Sequence, residues 1–268
     1  MLVIFSGGSG AGKNSVIEEL RKTGEFALMP TYTTREKREN EKEGNPYCYI
    51  DEKTLMQKAD SGELYEYQNV HGHYYATSRR LLKETLALGK ILLKDIDVVG
   101  TQRLLENIDD VKIVTVFVKV SSKEVLLERL KKRKETEIET RLSRYDFEMS
   151  FKERYDYIVD NEDLKETTAL VYNIIQSEKL GKKPLDAEDG KIDDAEIEKN
   201  IETLNEGGVL EPVKIAEKGG VFYIVSGKNR YLAGLYSGKR VAKEIVEAAA
   251  VSVSDQKPWA DALKKAEK

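Results

Sequence analysis

Cysteine is almost absent from this 268-residue chain: Cys48 stands alone. A single thiol forms no internal disulfide framework and suits a reducing compartment, so the expected location is cytoplasmic. Histidine is nearly as scarce. His71 and His73 are the only two, and with one thiol they make no zinc site. No apolar run approaches the roughly 20 residues that a membrane-spanning helix needs. Met1 leads straight into LVIF and a glycine-rich turn, without the basic start and longer apolar stretch of a signal peptide. Neither a membrane partner nor a secretory route is expected. An excess of positive charge is missing too. Lys plus Arg number 44 against 48 Asp plus Glu, a formal net charge of −4, which leaves a local basic cleft as the remaining route to a DNA partner.

What is present builds a core. Hydrophobic residues make up 40% and charged residues 34%, and the length is comfortable for two domains. Residues 1–180 alternate strand-like and helix-like segments. Leu2 to Phe5 is a short apolar strand, followed by a helical pattern that puts Val16, Ile17 and Leu20 on one face. Ile91 to Leu93, Val111 to Val120 and Tyr155 to Val159 read as further strands, with Leu164 to Leu180 as a closing helix. Such alternation predicts a parallel sheet flanked by helices, an α/β class. Residues 181–194 (GKKPLDAEDGKIDD) have the composition of a linker. A helix over Ala195 to Leu204, strands VKIA and VFYIV around Gly219 and Gly220, and a final apolar helix predict a small α+β domain over 195–268. Residues 1–180 are then expected to fold and work alone.

The segment Gly7-Gly8-Ser9-Gly10-Ala11-Gly12-Lys13-Asn14-Ser15 follows a strand and opens a helix, the setting of a phosphate-binding loop. Glycines let several backbone N–H groups face one phosphate, and the new helix adds the positive end of its dipole. Lys13 supplies a point charge for the outer phosphates. Asn14 takes the place usually held by Ser or Thr, which leaves Ser15 as the hydroxyl for Mg²⁺. Gly8 to Ser15 are thus the expected ATP-binding residues.

Several motifs follow in order: TYTTREKRENEKEGNPYCYI, ELYEYQNVHGHYYATS, ILLKDIDVVG and YDYIVDNEDL. Together with the loop, residues 1–180 resemble the guanylate kinase family. That resemblance implies a P-loop nucleoside monophosphate kinase fold, with ATP, Mg²⁺ and GMP or dGMP as ligands. It places Thr31, Arg35, Arg38 and Tyr47 on the acceptor phosphate, where guanidinium forks suit bidentate binding. It places Glu66 on the N1–H and 2-amino group of guanine, and Tyr75, Thr77 and Asp97 around the same nucleotide. Asp95 and Asp97 are expected on one strand face. Arg129, Arg133 and Arg141 resemble the arginines of a mobile lid over the triphosphate, and Asn161 matches a position beside the donor adenine. Lys13, Arg38, Arg133 and Arg141 are the expected catalytic groups. His71 and His73 receive no role, and Cys48 is expected to be buried.

Residues from about 190 to 250 are similar to a ParB/sulfiredoxin-like domain: helix, a Gly-Gly turn into a strand, a hairpin, then Gly227-Lys228-Asn229-Arg230 opening a helix. The resemblance implies a nucleotide- or anion-binding accessory, with Gly227 and Arg230 at the anion. The turn lacks the cysteine that sulfinic acid reduction needs. From Lys179 onward acidic and basic residues balance, against strong nonspecific DNA binding. The rival readings are a ligand-binding scaffold with a degenerate kinase domain and a nucleotide-sensing, DNA-associated protein. The oligomeric state is open.

Overall fold

The computed structural model describes residues 1–39, 41–70, 72–132, 138–186 and 192–246. Two compact units emerge: Met1–Ser6 with Lys13–Val114, and Gly7–Gly12 with the described residues from Thr115 onward.

In the first unit, the apolar run at the start becomes β1 (Leu2–Ser6), buried at every residue. Helix α1 (Lys13–Arg21) buries Val16, Ile17 and Leu20, the face its period predicts. Next come β2 (Phe26–Leu28), β3 (Thr31–Thr33), β4 (Tyr47–Tyr49), α2 (Glu52–Asp60), β5 (Leu64–Val70), β6 (His73–Ser78), α3 (Arg79–Leu86), β7 (Ile91–Asp95) and α4 (Val98–Asn107). β7 lies between β1 and β2, parallel to both. A second sheet runs β4-β3-β6-β5. Leu2, Ile4, Met29, Leu82, Leu92 and Leu104 share one core. Side chains that accept orphan N–H groups start the helices: Asp51 for α2, Ser78 for α3 and Asp97 for α4.

The second unit contains β8 (Ile113–Lys119, from Thr115), α5 (Lys123–Lys132), α6 (Ile138–Met149), a short 3₁₀ turn at Lys152–Arg154, β9 (Tyr157–Asp160) and α7 (Leu164–Lys179). It continues with β10 (Leu185–Asp186), α8 (Asp194–Asn205), β11 (Val213–Lys218), β12 (Val221–Ser226), α9 (Lys228–Ser237) and β13 (Lys243–Ile245). Its strands run β10-β12-β11-β13-β9-β8. Phe117 and Tyr155 pack edge to face, 5.2 Å between ring centroids, and both are fully buried. Asp193 caps α8, whose first residue, Asp194, is one ahead of the expected start at Ala195. No helix among the described residues is long and apolar enough to cross a membrane.

The segment after residue 180 differs from its expected form. Within 181–194, Leu185–Asp186 pairs with β12, and 187–191 lie outside the described residues. The later strands do not make a sheet of their own, because β13 pairs in parallel with β9, Lys243 opposite Tyr157. The Asp156 carboxylate accepts from the Thr115 N–H at 2.8 Å and its hydroxyl at 2.9 Å, and meets Arg240 Nε at 2.9 Å. The Lys243 N–H donates to the Asp156 carbonyl at 2.9 Å. β9 is therefore an interior strand held on both sides, and residues 1–180 alone would present it as a bare edge. Deleting residues 181–268 is expected to lower the melting temperature by roughly 5 °C or more. An unchanged melting temperature would restore the reading of an independent C-terminal domain.

Candidate active site

The phosphate-binding loop has the backbone its glycines predict. Gly7, Gly10 and Gly12 hold φ of 131°, 95° and 93°, in the left-handed half that side chains disfavour. Space is as restrictive as torsion. A Cβ on Gly7 would collide with the Val118 carbonyl, one on Gly12 with the Asn161 amide, and one on Gly10 would crowd Leu126 and Leu130. The Ala11 N–H donates to the Gly8 carbonyl at 3.0 Å, and the buried Asn161 donates to the Ala11 carbonyl at 2.7 Å. Asn161 thus braces the loop directly. Lys13, Asn14 and Ser15 form the first turn of α1, with Asn14 exposed and Ser15 half-buried.

The lid residues divide. Arg141, on α6, donates to the Ser9 hydroxyl. Arg129 turns to Glu162 instead, donating to its carbonyl at 3.3 Å and lying 3.9 Å from its carboxylate. Arg133 lies outside the described residues. Sequence reasoning missed Glu148. It is 6% exposed, and its carboxylate accepts from the Ser9 N–H at 3.2 Å, so an anion already sits on one of the loop's donors. In the sequence it reads as half of an ordinary Arg144–Glu148 helix pair, which is also present at 3.7 Å.

In the other unit, Arg35 is held by Glu41 at 2.7 Å, with its guanidinium 5.3 Å from the Tyr47 ring centroid. Arg35, the Arg38 N–H and the Tyr49 hydroxyl together hold the Glu41 carboxyl at about 2. The Tyr75 ring meets Tyr47 edge-on at 5.9 Å. The Arg38 side chain is exposed and makes no hydrogen bond among the described residues. Arg35, Tyr47 and Tyr75 thus lie side by side.

Glu66 is 7% exposed. Its Oε1 accepts from the Thr77 hydroxyl at 2.5 Å, and its Oε2 is buried without a hydrogen-bond partner among the described residues. Burial raises the carboxyl pKa, while Lys94 and the Thr77 hydroxyl pull the other way. Thr31 accepts from Lys94 Nζ at 2.9 Å. Asp95 ends β7 with a solvent-accessible side chain amid dense protein. That surrounding raises its carboxyl pKa against the pull of Lys13 and Lys94. Asp97 corrects the expected shared strand face. It lies past the end of β7, accepting from the Val99 and Gly100 N–H groups as the cap of α4 and from the Gln68 amide. Cys48 is half-buried rather than buried, and His71 lies outside the described residues.

At the C-terminal turn, Gly227 caps α9 at φ 91°. Arg230 folds back over it, donating to the Pro212 carbonyl at 3.4 Å, with its Nε buried and without a partner among the described residues. The guanidinium expected to face an anion reaches main chain.

A family model described as guanylate kinase matches residues 1–178. The guanylate kinase of Thermotoga maritima is 35% identical over 182 residues, covering 66% of this chain and 87% of that protein. That of Helicobacter pylori is 37% identical over 184 residues, with 66% and 86% covered. A crystal structure of guanylate kinase from Anaplasma phagocytophilum superposes with a TM-score of 0.51 at 29% identity, covering 66% of this chain and 85% of that one. The loop geometry and these similarities agree: the chain belongs to the guanylate kinase family, and so to the nucleoside monophosphate kinases.

Proposed function

We propose that the chain transfers the γ-phosphoryl group of ATP to GMP or dGMP, giving ADP and the nucleoside diphosphate. The single observation that carries the acceptor's identity is the buried, unpartnered Oε2 of Glu66. An orphaned carboxylate oxygen costs free energy unless a ligand donates to it, and guanine offers N1–H and a 2-amino group where adenine offers an acceptor at N1. The likeness to guanylate kinases of two bacteria supports the same choice.

Phosphoryl transfer asks the protein to position two anions and to neutralise charge on the moving group. In this reading the N–H groups of Gly8 to Gly12 and the first turn of α1 cradle the ATP phosphates, with Lys13 as the cation and Arg141 added through Ser9. Asn161 keeps the loop closed at Ala11. Arg35 arrives pre-oriented by Glu41, and Arg38 has its guanidinium free to reach the acceptor phosphate with Tyr47 and Tyr75. The acceptor oxygen is already anionic, so no general base is required.

Mg²⁺ accompanies ATP here. Among the described residues no group of three or more His, Cys, Asp or Glu side chains could hold a metal. Ser15 and Asp95 offer hard oxygen donors, which fits an ion held mainly by phosphate oxygens and water. When bound, it neutralises triphosphate charge.

The lone Cys48 supports a reducing, cytoplasmic setting. The order of helix, hairpin and Gly227-opened helix in the C-terminal segment is the support for an anion-binding accessory. The inward hydrogen bond of Arg230 favours a structural role for that turn instead.

A coupled ADP-release assay over a panel of nucleoside monophosphates tests the activity. GMP or dGMP should be the preferred acceptor, and Lys13→Ala should lower kcat by several orders of magnitude. No ADP release with any monophosphate, or unchanged turnover in Lys13→Ala, would sink the kinase reading.

Glu66 yields a second expectation with opposite signs for affinity and stability. Its carboxyl pKa is raised by burial, so kcat/KM for GMP should fall as pH drops through a value above the ordinary carboxylate range. Folding stability works the other way, since a raised carboxyl pKa means that ionisation on raising the pH disfavours the folded state. Glu66→Gln should therefore lose guanine-over-adenine preference by roughly 2–4 kcal/mol, lose the acid limb of the pH profile, and unfold at no lower urea concentration. Retained preference in Glu66→Gln would remove Glu66 from base selection.

A further inference from the structure

Lys94 stands where the sequence has no reason to put a charge. It follows Leu92 by two residues on β7, so both side chains point to the same face, and Leu92 belongs to the core with Leu2, Ile4 and Leu104. Lys94 is 3% exposed. An ammonium so buried is expensive unless it has partners, and burial pulls its pKa down while Glu66 and Asp95 pull it up. Its one hydrogen bond among the described residues is to Thr31 Oγ1 at 2.9 Å. Its other two protons have no hydrogen-bond acceptor among the described residues.

Across the neighbouring sheet the polar groups form a row. Glu66 on β5 stands opposite Thr77 on β6. β6 pairs with β3 through Tyr32–Ala76 and Thr33–Tyr75, and one more step in that register puts Thr31 opposite Thr77. Cross-strand neighbours share a face, so Glu66, Thr77 and Thr31 line up over three strands, with Lys94 behind Thr31. The hydrogen-bond polarity of the row follows from its ends. A carboxylate only accepts, so Thr77 donates to Glu66. An ammonium only donates, so Thr31 accepts from Lys94 and its own O–H is left to donate.

We propose that Lys94 is a positioning residue for acceptor specificity, setting the Thr31 hydroxyl as a donating pole opposite the accepting pole of Glu66. Such a row matches a base edge that reads donor, donor, acceptor: the 2-amino group, N1–H and 6-carbonyl of a 6-oxopurine. A 6-aminopurine puts a donor against a donor at one end and leaves Glu66 unpaired at the other. The inference rests on the nucleotide acceptor reading above, moves Thr31 from the acceptor phosphate, where the family resemblance puts it, to the base, and assigns to Thr31, held by Lys94, the half of base selection that Glu66 cannot supply.

The test measures dissociation constants for GMP, IMP and AMP by calorimetry, with KM and kcat in the ADP-release assay, for the full chain and for Lys94→Met, Thr31→Val, Thr31→Ser and the Lys94→Met/Thr31→Val pair. IMP keeps the 6-carbonyl and N1–H but lacks the 2-amino group. Lys94→Met is expected to weaken GMP and IMP roughly 10- to 100-fold, the scale of one buried hydrogen bond to a charged group. AMP should be unaffected, and the loss should fall on KM rather than kcat. Thr31→Val should match it, the double variant should be no worse than either single one, and Thr31→Ser should recover most of the affinity. Unchanged GMP and IMP binding in Lys94→Met, a loss shared equally by AMP, or losses that add in the double variant would overturn the inference while leaving the acceptor reading intact. A parent chain that itself binds AMP as well as GMP would overturn the acceptor reading, and this inference with it.

Discussion

Main-chain clearance at the phosphate-binding loop is the constraint on which the second unit depends. Six residues must reverse the chain with N–H groups converging, and the Val118 main chain occupies the space a Gly7 side chain would need. Each surrounding element then has a fixed task. β8 backs the loop at Gly7, Asn161 beyond β9 closes it at Ala11, and the α5 leucines press on Gly10. Helix α6 adds Arg141 at the Ser9 hydroxyl and Glu148 at its N–H. A backbone shaped this way has few uses other than holding an anion.

The first unit is built on the opposite tension. Its core is apolar, yet Glu66 and Lys94 are buried in or beside it with one threonine hydroxyl each as a hydrogen-bond partner. Stability alone would place apolar residues at both positions. Polar groups kept at such a cost, with hydrogen-bonding capacity unused among the described residues, are what the proposed nucleotide acceptor would satisfy.

The C-terminal segment has a mechanical consequence for the loop-bearing sheet. By pairing β13 with β9 it turns an edge strand into an interior one. The Arg240–Asp156 pair and the stacking of Lys243 Nζ 4.6 Å from the Tyr157 ring centroid secure the join. Because Asn161 follows β9 directly, the strand that orients the loop's brace is steadied by residues beyond the family match, which ends at 178.

Features that depend on near neighbours were legible from the amino-acid order alone. The glycine spacing before Lys13 announced the loop, the period of Val16, Ile17 and Leu20 announced the buried face of α1, and the alternation of strands and helices announced the sheet. The ordered motifs named the family and, within it, Glu66. Long-range placement belonged to the tertiary structure. Asp97 looked like a strand residue until the chain turned and made it a helix cap. Arg129 looked like Arg141 until Glu162 captured it, and Glu148 drew no notice until α6 laid it on Ser9. The linker composition of 181–194 hid a strand that pairs 38 residues away, Leu185 with Tyr223. Composition and period report a residue's chain neighbours, whereas burial, charge pairing and sheet order depend on groups distant in sequence. For that reason the sequence determined which chemistry this protein carries, and only the folded chain decided which side chains stand close enough to perform it.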